Sequence, residues 1–364
     1  MQQSVLEVDL AAIRFNLDVY RSFLAPATSI MCMVKASGYG SGSVEVGKML
    51  EAAGVQYLGV AYCSEGVELR KAGNRLRILV MVTEAASFDD LISNCLEPEI
   101  YSFKILDAFL AFLREKNIKD YPVHIKIETG MNRLGFQPEE VDALCIKLKQ
   151  SPEIRVQAIM SHLAASGMAS EDNFTLQQAD LFTVAASQVE AALGYPVIRH
   201  INNSYAIHRH PSLHMNMVRL GIGMYGADVD LQEKLKNVST LKTTIAQIRQ
   251  IKKGETVGYS RSHIATGDTT MAIVKIGYAD GYPRLVGNGR GYMLVNGEKA
   301  PVLGNICMDM TMLDVTGIAA REDDEVIVFG QDLPASLVAG WAETIEYEIF
   351  TNISQRVKRE YLNL

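Results

Sequence analysis

Residues 30–42 read IMCMVKASGYGSG: five apolar residues in a row, a lysine, then a turn punctuated by three glycines. A run that short and unbroken suits a strand covered on both faces, as in parallel sheets. The same order of events recurs to about residue 225. Further runs lie at Tyr57 to Ala61, Arg77 to Val82, Pro98 to Tyr101, Val123 to Ile127, Val156 to Ser161, Val197 to Ile201 and Asn216 to Arg219. Helix starts fall between them: Ser87 with Asp90 three residues on resembles a capping box, and Pro138 followed by Glu139 and Glu140 suits a first helical turn. Eight strand–helix repeats predict an α/β fold, a (β/α)8 barrel of the TIM type over residues 11–235.

After about residue 236 the rhythm changes. Thr243 to Ile251 alternates apolar and polar, Met271 to Ile276 and Glu325 to Phe329 are apolar runs, and Tyr292 to Val295 leads into Asn296-Gly297, a strong hairpin signal. Residues 236–364 therefore read as a mainly β domain.

Composition bounds the function. At 364 residues the chain exceeds what one core usually supports. With 35 Lys plus Arg against 42 Asp plus Glu, and no basic block, nucleic acid is an unfavourable partner. The five cysteines, Cys32, Cys63, Cys95, Cys145 and Cys307, form no C-x-x-C pair and suit reduced thiols, hence a cytoplasmic protein. The start carries Glu7 and Asp9 where an export signal would be apolar, and nowhere do enough apolar residues run together to span a membrane. The cluster His208, His210 and His214 has no acidic or cysteine partner at ligand spacing, so no metal site is expected.

In a barrel of this type reactive groups sit beyond the carboxyl ends of the strands, and phosphate is commonly held by the last two loops. Lys35 follows the first strand, Arg133 in HIKIETGMNRLGF the fifth, and His162 the sixth. Asn203 and Ser204 in RHINNSYA follow the seventh, and Arg219 ends the eighth, with Gly221, Ile222 and Gly223 next in MVRLGIGMYG. Singly, such residues are usually solvated charges or turn formers. Together they set a lysine opposite a hydroxyl and closely approachable backbone N–H groups. That combination suggests pyridoxal phosphate, which offers an aldehyde to an amine and a phosphate to the loops.

The chain resembles the pyridoxal phosphate-dependent alanine racemases over nearly its whole length. VKASGYGSG is similar to the family's lysine motif and ETGMNRLGF to its arginine motif. VGYS, KIGYADGYPR and GNICMDM are similar to its C-terminal signatures. The resemblance implies a barrel plus a β domain that the N-terminal strand near Leu6 to Leu10, within residues 1–10, also joins. It implies Lys35 as the cofactor-bonded lysine and the base on the D face, and Tyr259 as the base on the L face. Free lysine and tyrosine side chains keep their protons well above neutral pH, so neighbours must help them. It further implies His162 against the cofactor ring, Arg219 on the ring nitrogen, and Tyr39 and Ser204 on the phosphate. Asn203, Gly221 and Ile222 would be further cofactor contacts, and Arg133 with the Met308 N–H would hold the substrate carboxylate. Lys126 corresponds to a lysine that is often carbamylated. A homodimer with composite sites follows, Tyr259 and Met308 coming from the other subunit, and D-alanine for peptidoglycan is the implied product.

One departure bears on substrate range. ISQRVKREY puts Gln355 where many members have a tyrosine that narrows the pocket, so L-serine is an expected secondary substrate. A non-catalytic cofactor carrier would lack the second domain and an opposing base. A decarboxylase on the same plan would offer a cysteine and acidic motif in the C-terminal domain, for which Cys307 leaves a small opening. A barrel glycosidase needs paired carboxylates, and Glu128 alone does not supply them.

Overall fold

The computed structural model describes residues 4–363. After a first strand, β1 (Val5–Asp9), come β2 (Ser29–Met33), β3 (Tyr57–Val60), β4 (Arg77–Val80), β5 (Glu97–Ile100), β6 (Tyr121–Lys126), β7 (Ile154–Met160), β8 (Ile198–His200) and β9 (Met217–Leu220). Strands β2 to β9 form one parallel sheet in the order β8-β7-β6-β5-β4-β3-β2-β9. Asn216 N–H donates to Arg199 O (3.2 Å) and Arg219 N–H to Asn202 O (3.2 Å), which brings β9 back to β8 and closes the cylinder. These are the eight runs named from the sequence, shifted slightly at their ends. They were legible because each is covered on both faces; Ile78, Leu79 and Val80 of β4, for example, are fully buried.

The helices between them form for ordinary reasons. Phe103–Glu115 buries Ile105, Leu106, Phe109, Leu110 and Leu113, a stripe at helical spacing, and Ser102 Oγ caps its start by accepting from Ile105 N–H. Asp172–Leu193 ends at Gly194, whose φ of 74° is the left-handed C-cap. Pro138 opens a short 3₁₀ turn leading into the helix Val141–Lys149, as the sequence suggests. Ser87 does not act as a cap. Its hydroxyl donates back to Glu84 O at 2.8 Å, because a 3₁₀ turn over Ala85–Ser87 precedes the helix Phe88–Ser93.

The chain divides into two compact units, the barrel (Asn16–Gly38 and Ser43–Met224) and a unit of residues 4–15, 39–42 and 225–363. The second unit is built on β10 (Ser239–Ile251), β11 (Thr256–Val257), β12 (His263–Ile264), β13 (Thr269–Val274), β14 (Tyr292–Val295), β15 (Glu298–Pro301), β16 (Thr311–Asp314), β17 (Glu325–Phe329) and β18 (Lys358–Leu362). The long β10 pairs with β1, β13 and β17, and β1 also pairs in parallel with β18, so the N-terminal strand belongs to this sheet. Asn296 (φ 50°) and Gly297 (φ 80°) make the tight turn between β14 and β15. No helix among the described residues is long and apolar enough to cross a membrane.

Candidate active site

The mouth of the barrel gathers Lys35, Lys126, Arg133, His162, Ser204 and Arg219 from the carboxyl ends of five strands. Lys35 follows β2, and its amine makes no hydrogen bond or ion pair among the described residues. Its amine is held below the usual lysine range, by burial first and then by Arg133 and Arg219, against the opposing pull of Glu65 and Glu99. A neutral amine is the form that adds to an aldehyde.

Arg219 is 3% exposed and anchors the floor of the site. Its Nη1–H donates to His200 Nδ1 (2.7 Å) and His200 O (3.2 Å), and its Nη2–H to Ser161 O (2.6 Å), Ile201 O (3.0 Å) and His162 Nδ1 (3.1 Å). No protein acceptor is found for its Nε–H among the described residues, so that donor is left for a ring nitrogen. Burial lowers even this guanidinium to about 10, with Glu99 raising it and Arg133 lowering it further. His162 is pushed well below the ordinary imidazole range by burial, then by Arg219, Lys126, Arg133 and Lys35, so it stays neutral and accepts from Arg219. Arg219→Ala should remove at least about 3 kcal/mol of unfolding free energy, because its buried acceptors are stranded together. Urea unfolding of the variant measures this.

Ser204 Oγ accepts the N–H groups of Gly221 (3.0 Å) and Gly223 (3.3 Å), so a hydroxyl and two backbone donors converge between β8 and β9. Gly223 has to be glycine, since a Cβ there would lie 2.1 Å from the hydroxyl of the buried Tyr20. Asn203 is already occupied: its Oδ1 accepts from Ala206 N–H (3.1 Å) and Ser166 Oγ–H (2.8 Å), and its Nδ2–H donates to Leu163 O (3.3 Å). It shapes this loop by capping the helix Ser204–Arg209. Ile222 is buried beside these donors. The donor set therefore fits pyridoxal phosphate, with an amine for the aldehyde, a hydroxyl and amides for the phosphate, and a lone guanidinium N–H for the ring nitrogen.

Arg133 is exposed on the loop after β6, where Glu128 accepts its backbone N–H (3.3 Å) and that of Gly130. Gln178 ties this loop to that of His162: its Nε2–H donates to Thr129 Oγ1 (3.5 Å) and to His162 O (3.1 Å), and its Oε1 accepts from Ala164 N–H (2.9 Å). Lys126 is 4% exposed on β6, and burial lowers its amine to about 8, with Glu99 opposing and Arg219 and Arg133 assisting.

Sequence reasoning missed Glu99 and Glu97. Both point into the barrel from β5, 2% and 4% exposed. Glu97 pairs with Arg77 and with His124 Nε2 (2.8 Å), while Glu99 Oε2 has no hydrogen-bond partner among the described residues, and burial raises its carboxyl. The only signal was their two-residue spacing beside an apolar run. The histidine cluster has an acidic neighbour after all, since Asp172 Oδ1 lies 3.4 Å from His210 Nε2, while His214 Nε2 contacts Ile207 O at 2.7 Å.

In the second unit Tyr39 is buried, stacked on Tyr225 with ring centres 4.8 Å apart. Tyr259 and Met308 line a cavity of about 710 Å³ with Gly258, Cys307 and Met310, and are 67% and 52% exposed. A bond from Cys307 N–H to Met310 O (2.9 Å) holds Met308 at the tip of a turn. Gln355 is exposed.

Two family models match: alanine racemase, N-terminal domain, over residues 8–229, and alanine racemase, C-terminal domain, over 238–361. The alanine racemase of Desulfovibrio desulfuricans is 37% identical, covering 98% of this chain and 97% of its own. That of Sorangium cellulosum is 36% identical over 99% of each. Among solved structures, the alanine racemase of Clostridium difficile 630 superposes with a TM-score of 0.93 at 35% identity, over 100% of this chain and 96% of that one. The alanine racemase of Bartonella henselae with covalently bound pyridoxal phosphate gives a TM-score of 0.90 at 28% identity over 100% of each.

Proposed function

The chain belongs to the alanine racemase family: it is a pyridoxal phosphate-dependent isomerase that interconverts L- and D-alanine, and we propose that Lys35 and Tyr259 are the two bases it uses. What carries this reading is the barrel mouth, where an amine and an Arg219 Nε–H, both without a hydrogen bond among the described residues, and the Ser204–Gly221–Gly223 group meet the demands of one cofactor. When bound, pyridoxal phosphate supplies a conjugated ring that acidifies the α-hydrogen of the amino acid it holds.

The chain's own residues do the rest. Lys35 would supply the amine that tethers the cofactor, and would take or return the substrate's α-proton on the D face. Tyr259 Oη would do the same on the L face. Arg219 would donate Nε–H to the ring nitrogen; a guanidinium gives up no proton there, which would keep the ring a weak electron sink and favour proton return over side reactions. His162, neutral and fixed by Arg219, would lie against the ring. Ser204 with Gly221 and Ile222 would bind the phosphate, and Asn203 holds that loop in shape. Arg133 and the Met308 N–H bind the substrate carboxylate. The lowered amine of Lys126 has a larger neutral share than an ordinary lysine, which is what carbamylation by carbon dioxide requires. We assign cofactor binding to residues 11–235 and the second base to 236–364. Unpaired thiols suit a cytoplasmic setting, with D-alanine going to peptidoglycan.

Racemisation of L-alanine, followed by a D-specific coupled assay, tests the reaction, and the same assay with L-serine tests the wider pocket inferred from Gln355. No D-alanine from cofactor-loaded protein would overturn the reading.

The exposed apolar surface at Tyr259, Met308 and Met310 supports a homodimer in which these residues complete the other protomer's site. Mixing Lys35→Ala with Tyr259→Phe chains should then restore activity. Half the dimers are hybrids and each hybrid has one intact site, so recovery should approach roughly a quarter of the parent rate. Recovery no greater than the sum of the separate variants rules the composite site out.

A further inference from the structure

The turn after Lys35 runs against the preferred handedness of L-residues. Ala36 (φ 51°), Ser37 (φ 53°) and Gly38 (φ 59°) are all left-handed, a region that strains any residue with a Cβ. Gly38 N–H closes the turn on Val34 O at 2.8 Å, so Lys35 stands on its first step. Such a conformation lasts only where the surroundings over-determine it. One side chain from the next βα unit does so. Glu65 Oε1 accepts Ala36 N–H at 2.6 Å, while its Oε2 accepts Ala61 N–H (2.7 Å) and Tyr62 N–H (3.1 Å).

The bonds at Ala61 and Tyr62 are what a glutamate in the first turn of the helix Cys63–Lys71 ordinarily makes. The bond to Ala36 is not. It reaches across 29 residues, is not needed to cap the helix, and fixes the backbone directly after Lys35.

We propose that Glu65 is the positioning residue of the catalytic lysine, its carboxylate clamping the left-handed turn that aims Lys35 Nζ. This rests on Lys35 being the lysine that carries the cofactor. Glutamine at the site would keep one acceptor oxygen but set an NH₂ against a backbone N–H, and alanine would leave all three donors without their acceptor.

The test uses full-length holoenzyme. Borohydride reduction and peptide mapping of the parent protein come first. An adduct on another lysine overturns the Lys35 assignment and this inference with it, whereas an adduct on Lys35 leaves the variants to decide. In E65Q and E65A, kcat per bound cofactor should fall towards the roughly hundredfold that a misplacement of about 1 Å costs, with KM for alanine little changed. The visible circular dichroism of the bound cofactor should weaken in parallel, because that signal follows how firmly the cofactor is oriented. Unchanged dichroism overturns the inference, whether kcat is retained or lost, and a lower melting temperature alone does not rescue it. Should E65A fail to fold, E65Q carries the same readouts.

Discussion

Lys35→Ala will abolish the visible band of the bound cofactor and lower alanine racemisation by a factor on the order of 10⁴ or more, the scale of losing a group on which chemistry depends. The fold should not suffer. The Lys35 amine makes no hydrogen bond or ion pair among the described residues and is held below the usual lysine range chiefly by burial, so at neutral pH the folded chain bears the cost of a desolvated ammonium. The sign follows from linkage: a lysine whose folded pKa is depressed opposes folding below that value, and the opposition fades as pH rises towards the unfolded pKa. The cofactor-free alanine variant should therefore unfold no more readily than the cofactor-free parent at pH 7, with any advantage shrinking in alkali. Urea unfolding at two pH values checks this, and borohydride trapping checks the missing adduct. A variant that still racemises near the parent rate would remove Lys35 from the chemistry.

The sequence made the barrel legible because burial on both faces leaves little room for polar residues inside a strand, so strands such as β2, β3 and β4 stand out as apolar runs. Lys35, His162 and Ser204 could be picked out because they interrupt the pattern just where a run ends. The acids inside the barrel could not. Glu97 and Glu99 look like surface residues until the register of β5 on β6 sets Glu99 beside His124. Glu65 gave even less away: its spacing marks only a helix start, and the contact that matters depends on how the neighbouring strand turns. Nor does Ala36-Ser37 announce a left-handed turn, a conformation normally given to glycine. Tyr259 and Met308 are exposed on the second unit in a setting without periodic signal, so only the resemblance of their motifs singled them out.

Tyr259→Phe is the most informative substitution for the two-base reaction, and its effect is constrained before any measurement. Two enantiomers have equal free energy in an achiral solvent, so no variant can slow L-to-D conversion alone: kcat/KM must fall by the same factor in both directions. Loss of one general acid–base group sets that factor on the order of 10² to 10⁴. The asymmetry has to be sought in hydrogen exchange. With the phenol gone, Lys35 can still remove the α-hydrogen of D-alanine and return a hydrogen to the same face. D-alanine in heavy water should therefore wash in deuterium with its configuration retained, while L-alanine, whose hydrogen points at the missing base, should neither exchange nor invert at a comparable rate. Cofactor binding should persist, because no cofactor contact is assigned to Tyr259. Proton NMR of the α-hydrogen, read beside chiral chromatography, separates the two processes. Equal exchange from both enantiomers would mean that a single base serves both faces, and Tyr259 would lose its role.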